Sequence, residues 1–402
     1  MPLLAQCGYG RSDKIEQGLS AGSIAGFILR PRDEARSRLE SFHADVRHNT
    51  PHAEILFDPQ FYAATLTNAR DGHLADYPYY TNNSGLSRNQ FRPRQIQTYV
   101  HDCIDYQMQS LPGLTYLVSP SVSFDDFRDS WSQIALSMAE ASIDDWQDRN
   151  TKMPLLVSIV FSESSLRDAT RMNEFLDALS AMDVTGFYIL VQRNSTTLEP
   201  AMDVVSMSNL LYFVYVLATL NSYQVVVGYS DWMGFLLQAV GAAFSASGWH
   251  NSLKQFTLSR FLPQTGGRRP RKRYSSLPLL SCPLIVPELD DTNRANLLPE
   301  VLTGTVYDQI LQQNGPAQGE INWTDAISCL AHWESLSRLY ANVEAPQNVA
   351  DRLAAAEKQI RTAETRYNRL MVAGVYFQPP TSPDHLSLWI DAINVFRHDA
   401  SI

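Results

Sequence analysis

Three carboxylates follow short apolar runs, an arrangement that suits acid–base or nucleophilic chemistry. They are Asp58 after residues 54–57, Glu163 after residues 155–161, and Asp231 after residues 224–228. A carboxyl group buried at the end of an apolar strand has a shifted pKa, which fits it to act as an acid, a base or a nucleophile. The alternative is that each carboxylate forms an ion pair with a neighbouring arginine or caps a helix.

Other polar side chains that follow the apolar runs are predicted to contact a substrate. They are Arg30, Gln192, Arg193, Trp249 and His250. The four cysteines lie far apart along the chain, and the histidines at 43, 48 and 52 are interrupted by Pro51, so no metal site is predicted. No glycine-rich nucleotide loop follows the first apolar run, and we expect no cofactor.

One dense basic cluster stands out in a chain whose net charge is −10. It consists of Arg268, Arg269, Arg271, Lys272 and Arg273. Such a cluster can hold the phosphates of RNA or DNA through charge and hydrogen bonds. A merely solvated loop is the alternative. Its place before the predicted eighth strand puts it on the face of the fold away from the carboxylates.

The apolar runs alternate with helical patterns and predict eight strands. The runs cover residues 24–29, 54–57, 114–118, 155–161, 186–191, 224–228 and 243–247, with an eighth strand inside 277–286. Most runs are continuously apolar, as strands buried on both faces are. Eight such units predict an α/β fold, a (β/α)8 TIM-like barrel, with an open doubly wound sheet as the alternative. In a barrel, the residues that follow the strands meet at one face.

The same reading divides the chain into a barrel over residues 1–314 and a C-terminal helical extension over 315–402. A long insertion at residues 62–93, rich in Asn, Gly, Tyr and Arg, is typical of a lid or binding loop. Within the extension, residues 349–370 carry apolar side chains at alternating spacings of four and three. This heptad helix either packs on a neighbouring helix such as residues 324–340 or forms a seam for a protein partner.

The composition points to a cytoplasmic protein that does not enter a membrane. The start of the chain has no basic stretch followed by a long apolar one, and the longest apolar run, residues 209–220, is too short to span a bilayer. The acidic net charge argues against a uniformly cationic nucleic-acid coat, although it allows a local basic patch.

The order of these segments resembles the tRNA-guanine transglycosylase superfamily. Residues 54–61 look like the family segment that carries an Asp after an apolar strand, and residues 158–163 lie where the family has a strand ending in Gln-Gly-Gly. Residues 184–189 resemble its next strand, and residues 226–229 with 237–242 are similar to its Gly-Val-Gly segment and the following helix. The resemblance implies a barrel that acts on a nucleic-acid base, with Asp58 as an acid or base.

The chain departs from the family pattern at three places. The base-reading Gln falls near Phe161, the nucleophilic Asp falls near residues 245–248, where no carboxylate exists, and the zinc cysteines are missing. Two hypotheses follow. The first is a divergent enzyme that acts on a nucleoside or nucleic-acid base by glycosidic chemistry, using Asp58 with Glu163 or Asp231. The second is a non-catalytic barrel that serves as a binding subunit of a larger assembly.

Overall fold

The structure is a computed structural model that describes residues 2–8, 13–80, 85–195, 201–263 and 271–402. Nine parallel strands form one sheet in these residues. The strands are β1 (Leu3–Gln6), β2 (Gly26–Leu29), β3 (Glu54–Phe57), β4 (Leu117–Val118), β5 (Ser123–Phe124), β6 (Leu155–Ser162), β7 (Gly186–Gln192), β8 (Gln224–Val227) and β9 (Phe244–Ser247). Eight of them follow one another around a ring in chain order, and the short β5 extends the sheet beside β6.

The ring is a nearly closed TIM-like barrel, as predicted. β1 pairs with β2 on one side and with β9 on the other, so the first and last strands are neighbours. β3 and β4 are not joined by a regular ladder of backbone hydrogen bonds. Two hydrogen bonds between Ile55 in β3 and Thr115, just before β4, connect them instead. There the amide of Thr115 donates to the carbonyl of Ile55 (2.9 Å), and the amide of Ile55 donates to Oγ1 of Thr115 (3.0 Å).

Burial explains why the strands read as unbroken apolar runs. All eight residues of β6 are buried, as are all four of β1 and β2. Each strand faces the barrel interior on one side and a layer of helices on the other, so neither face selects for polar residues. Periodicity of two is therefore absent from most strands, such as β6, although β9 alternates as Phe-Ser-Ala-Ser.

Two of the predicted strands require correction. The first strand is Leu3–Gln6, a run too short to stand out, so the run predicted as the first strand is the second. The predicted eighth strand within residues 277–286 is not a strand. It contains the turn Leu277–Leu279 and leads into the helical turn Ile285–Leu289. Pro278 and Pro283 lack the amide hydrogens that a ladder needs.

The helices lie outside the barrel. They are α1 (Lys14–Ser20), α2 (Arg36–Asn49), α3 (Pro93–Ser110), α4 (Ser130–Asp148), α5 (Ala169–Ser180), α6 (Val204–Tyr215), α7 (Gly234–Ala239), α8 (Asn251–Lys254), α9 (Asp290–Arg294), α10 (Leu298–Val301), α11 (Gln309–Asn322), α12 (Asp325–Glu344), α13 (Val349–Val372) and α14 (Asp384–Ala400). α12 contacts α7, α1 and β1 and thereby occupies the place of the barrel's eighth helix. The helical C-terminal region is confirmed, and its first long helix completes the barrel.

The heptad pattern corresponds to one continuous helix, α13. Its seven apolar positions are all buried within this chain: Val349, Leu353, Ala356, Ile360, Ala363, Tyr367 and Leu370. The helix packs against α7, α12 and α14. The apolar stripe is therefore occupied by neighbouring helices, and a protein partner through this helix stays a prediction that would use its charged faces.

The described parts of the predicted insertion, residues 62–80 and 85–93, are built of short turns rather than an open loop. Tyr77 and Tyr79 are buried and donate hydrogen bonds to the carbonyls of Glu34 (3.3 Å) and Pro59 (2.9 Å). Their rings also pack on Phe57. These tyrosines are core residues that anchor the segment to β3, so they are not free to stack on a ligand.

None of the helices in the described ranges is both long and apolar enough to cross a membrane.

Candidate functional site

The carboxyl ends of the strands carry a buried polar centre around Asp58. Asp58 is 0% exposed, and its two carboxylate oxygens accept hydrogen bonds from the amide of Gln60 (3.1 Å) and the hydroxyl of Tyr62 (3.0 Å). Burial raises the pKa of Asp58 to about 6, although these hydrogen bonds and the charge of Arg30 oppose the rise. The carboxyl group can therefore carry a proton close to neutral pH.

Arg30 supplies the positive charge of this centre. Its guanidinium donates to the carbonyl of Cys7 (2.8 Å), forms an ion pair with Asp33, and lies over the ring of Tyr229. Its Nε atom has no hydrogen-bond partner in the part of the chain that the structure describes. Arg30, predicted as a substrate contact, thus lies beside Asp58 and retains a donor.

Several other buried polar atoms in the Asp58 centre lack a partner of ordinary hydrogen-bond geometry among the described residues. They are the amide nitrogen and oxygen of Gln6, Nε2 of Gln60, and the hydroxyls of Tyr188 and Tyr229. Buried polar groups are nearly always paired, so a cluster of unpaired ones marks a place for water or a ligand. Gly228 lies tightly against this cluster, because a Cβ at that position would lie 2.5 Å from Cδ2 of Leu190 and 2.8 Å from the hydroxyl of Tyr188.

The backbone at the strand ends is unusual. Gln60, Tyr229 and Asp231 have φ angles of 55°, 54° and 43°, in the left-handed region that non-glycine residues rarely occupy. Gln60 follows β3, as Asp58 does, and Tyr229 and Asp231 follow β8. Such conformations cluster at functional sites, where the surrounding structure holds them in place.

Aromatic side chains close the mouth of the barrel over Asp58. Phe256 contacts the rings of Tyr62 (5.1 Å between centroids) and Tyr229 (5.3 Å), and Phe261 contacts Tyr62 (5.6 Å). Arg260 lies over Tyr229 and also pairs with Asp33. Residues 253–263, which we call the closing segment, therefore separate the Asp58 centre from solvent.

Glu163 and Arg193, predicted as a catalytic residue and a substrate contact, bind each other. Nε of Arg193 donates to Oε2 of Glu163 (2.8 Å), which also accepts from the amide of Asn194 (3.2 Å). Arg193 further donates to the carbonyl of Ala201 (2.7 Å), and its amide donates to that of Phe256 (2.9 Å). Glu163 and Arg193 therefore form the ion pair that the sequence left open as the alternative. The backbone bond from Arg193 to Phe256 joins the end of β7 to the closing segment.

Asp231 belongs to a second polar cluster. Its Oδ1 accepts from the hydroxyl of Ser247 (2.9 Å) and lies 2.9 Å from Nε2 of His332 on α12. Burial would raise the pKa of Asp231, but the charge of Lys254 and the contact with His332 outweigh burial and lower it. The structure therefore places Asp58, Glu163 and Asp231 in three separate sets of hydrogen bonds, and among the described residues no hydrogen bond joins any two of these sets.

The three remaining predicted contacts lie at the same face. Gln192 ends β7, where its Oε1 accepts from Ser123 (3.4 Å). Trp249 and His250 follow β9 and line a cavity of about 520 Å³, which we call the basic cavity. Its other lining residues are Ser252, Lys254, Arg271, Lys272, Arg273, Ser275, Trp323, Thr324, Asp325 and Ser328.

The described part of the basic cluster is therefore not on the far face, and for these residues that expectation was wrong. Arg271, Lys272 and Arg273 line the basic cavity beside the end of β9. The segment that follows them is a turn and not a barrel strand, so they do not precede a strand that begins at the opposite end of the barrel. Lys272 donates to the carbonyl of Glu320 (2.6 Å), and Arg273 donates to that of Cys282 (2.8 Å). Arg268 and Arg269 lie outside the described residues.

Sequence reasoning missed His332, Lys254 and Cys282. From the sequence, the cysteines were considered only as metal ligands, and in the structure all four are free. His332 lies in the C-terminal region, 85 residues from its contact Ser247, so spacing along the chain could not connect them. Within the described ranges, no three His, Cys, Asp or Glu side chains are grouped to hold a metal ion.

No protein-family model matches this chain, and no curated protein matches it significantly. The resemblance to the tRNA-guanine transglycosylase superfamily therefore stays a prediction, and the function has to be inferred from the residues of the site.

Proposed function

We propose that this chain is an enzyme that acts on a nucleoside or nucleic-acid base by glycosidic chemistry, with Asp58 as the general acid. The observation that carries the proposal is a buried carboxyl group with a pKa of about 6, among side-chain atoms that lack a partner of ordinary hydrogen-bond geometry in the described residues. A base departs from its sugar more readily when it receives a proton, and an acid with a pKa near the working pH delivers that proton best.

The unpartnered atoms suit the edge of a base. The side-chain amides of Gln6 and Gln60 supply donors and an acceptor, and the hydroxyls of Tyr188 and Tyr229 can do either. A purine or pyrimidine edge presents the same mixture of donors and acceptors. A site of this composition would discriminate strongly, because a ligand that failed to pair these atoms would leave them buried and unsatisfied.

The developing positive charge on the sugar needs a negative partner. Asp33 pairs with Arg30, and its charge also acts on Tyr229, so it belongs to the same centre as Asp58. Glu163 and Asp231 are held in their own clusters. We therefore propose Asp33 as the second carboxylate of the centre, in place of the two that the sequence suggested.

Substrate would enter by displacement of the closing segment. Phe256 and Phe261 cover Tyr62, while the backbone hydrogen bond from the amide of Arg193 to the carbonyl of Phe256 and the ion pair from Arg260 to Asp33 hold the segment down. Loops that close over a barrel mouth commonly exclude water during reaction and open for exchange. Access to Asp58 would then be gated by residues 253–263.

The test is release of a free base. The full chain is incubated at pH 6 to 7 with nucleosides and with short single-stranded RNA and DNA, and free bases are quantified by liquid chromatography and mass spectrometry. We expect one base to be released by the unmodified protein and by Asp177→Asn, an exposed change on α5, but not by Asp58→Asn. Equal release by the two variants, or none from any of these substrates, would overturn the proposal.

The basic cavity provides a separate prediction about nucleic-acid substrates. Changing Arg271, Lys272 and Arg273 to Gln is expected to weaken binding and to reduce the slope of log affinity against log salt by about one unit per lost phosphate contact. The measurement is fluorescence anisotropy with short RNA and DNA strands at several salt concentrations. The control carries Gln at Lys358, Arg361 and Arg369, which removes the same charge from α13. An equal loss in both variants would show nonspecific attraction only.

A second candidate is a non-catalytic barrel that binds a partner. The observation that favours it is that Asp58, Glu163 and Asp231 are each satisfied separately, without a facing pair of carboxylates. A tagged full chain that releases no base but elutes in a stable complex of defined stoichiometry, measured by light scattering, would support this candidate over the enzyme.

A further inference from the structure

Cys282 lies in a setting that stabilises a negatively charged sulfur. Its Sγ accepts from the ammonium of Lys254 (3.1 Å) and from the indole N–H of Trp232 (3.3 Å), and the hydroxyl of Ser275 lies 3.6 Å away. All of these residues are buried. An ammonium and an N–H donor aimed at one sulfur favour thiolate over thiol.

His332 adjoins this group with its orientation fixed. Nε2 lies 2.9 Å from the carboxylate of Asp231, while Nδ1 lies 2.8 Å from the hydroxyl of Ser275 and 3.3 Å from Nζ of Lys254. Because Lys254 can only donate, Nδ1 accepts, and Nε2 carries the proton toward Asp231. The unprotonated nitrogen, Nδ1, therefore faces Ser275 and Lys254, where it can accept a proton from a reacting group.

The charges around Cys282 act together. Burial alone would raise the pKa of the Cys282 thiol, but the charge of Lys254, followed by the neighbouring His332, brings it to about 6. The carboxylate of Asp231 acts in the opposite direction, and the charge of Arg273 acts on Lys254. The other three cysteines differ, because burial raises the pKa of Cys7 to about 12 and raises those of Cys103 and Cys329 as well.

The basic cavity reaches this cluster. Lys254 and Ser275, which both contact the sulfur, line its wall together with Arg271, Lys272 and Arg273. Asp325 is the only carboxylate among the described residues that line it. A small molecule in the cavity would therefore meet a cationic wall and lie against the side chains that hold the sulfur.

We propose that Cys282 is a nucleophile that forms a covalent acyl intermediate with carboxylic esters bearing an anionic group, bound in the basic cavity. The thiolate attacks the ester carbon, the Sγ–C bond forms, and the C–O bond breaks as Lys254 gives a proton to the leaving oxygen. Water then attacks the thioester while Nδ1 of His332 takes its proton, and the thiolate leaves. The proton returns from His332 to Lys254 across their 3.3 Å contact. The net reaction consumes one ester and one water and yields an acid and an alcohol.

This site is distinct from the Asp58 centre, and its test has a different readout. The first measurement alkylates the unmodified protein with iodoacetamide between pH 5 and pH 9 and locates the label by peptide mass spectrometry. We expect Cys282 to react at least about tenfold faster at pH 7 than the other three cysteines, with half-maximal rate near pH 6. Faster labelling of Cys7, which is half-buried, or labelling of Cys282 only in denaturant, would overturn the proposal.

The second measurement follows acyl transfer with two chromogenic esters, neutral 4-nitrophenyl acetate and anionic 4-nitrophenyl hydrogen succinate. We expect a burst of nitrophenolate and an acylated Cys282, faster with the succinate. Cys282→Ser is expected to abolish the burst, and Cys7→Ser to retain it. Changing both Arg271 and Arg273 to Gln should remove the preference for succinate.

Lys254→Met should slow alkylation of Cys282 at pH 7 by at least about tenfold, whereas Lys358→Met on the exposed face of α13 should not. An acylated residue other than Cys282, or an equal burst from Cys282→Ser, would contradict the proposal without bearing on base release by Asp58.

Discussion

Asp58→Asn is expected to lower the rate of base release by about 10²- to 10⁴-fold, the usual contribution of a positioned general acid. The shape of the site should survive the change. The new amide oxygen can still accept from the amide of Gln60, and the new N–H group can donate to the hydroxyl of Tyr62, which reverses its role. Loss of activity would therefore reflect the missing proton.

The same variant is expected to be more stable than the unmodified protein above pH 6. The folded-state pKa of Asp58 is raised from 3.8 to about 6, so ionisation costs more in the folded than in the unfolded chain. The unmodified protein therefore loses stability as the pH rises from about 4 to about 6 and does not regain it above that range. Asn does not ionise and avoids this loss.

Urea unfolding at two pH values measures the effect. The stability of Asp58→Asn relative to the unmodified protein is expected to rise by about 2 kcal/mol between pH 4.5 and pH 8. Asp177→Asn, on the exposed face of α5, provides the matched control and should give no such difference. A pH-independent effect of Asp58→Asn would mean that Asp58 is already ionised in the folded protein at pH 4.5.

Arg193→Met is expected to destabilise the fold by about 3–5 kcal/mol, because it leaves the carboxylate of Glu163 buried without its cation. The side chains of Arg193 and Glu163 are only 4% and 9% exposed, so water cannot replace the lost partner. The variant also loses the bond to the carbonyl of Ala201. Urea unfolding at pH 7 gives the free energy directly.

A double variant separates the charge from the packing. Arg193→Met combined with Glu163→Gln should recover much of the stability, since no uncompensated charge remains. Arg128→Met breaks an exposed pair with Glu174 and should have little effect. If Arg193→Met were as stable as the unmodified protein and impaired only base release, Arg193 would be the substrate contact that the sequence suggested.

The sequence was informative wherever one local property determined the outcome. Seven strands could be recognised because burial on both faces makes each an unbroken apolar run, and the residues after them could be assigned to one face. The strand Leu3–Gln6 was missed because four apolar residues do not distinguish a strand from a chance run. The apolar run at residues 277–286 was misassigned because Leu and Ile pack equally well in turns.

The pairing of site residues could not be predicted in the same way. Glu163 could face a cleft or bind Arg193, depending on the directions of the side chains at the ends of two strands. The amino-acid sequence of those strand ends is compatible with either arrangement. The contact from His332 to Asp231 depends on where α12 docks, which is a property of the assembled barrel. A search for spacing along the chain cannot find a cluster whose members come from the residues after β8, from β9, α8 and α12, and from the segment after α8.

The docking of α12 as the eighth helix has a consequence for synthesis on the ribosome. β1 is made first, yet its neighbours β9 and α12 emerge only after some 240 and 320 further residues have been added, as the numbering of these elements shows. At typical elongation rates of about 5–20 residues per second, the edge of β1 and the inner face of α1 stay uncovered for tens of seconds. The nascent chain therefore passes through a long-lived stage with an open sheet edge. During that stage His332 has not been made, and Asp231 and Cys282 are exposed to the surroundings without it.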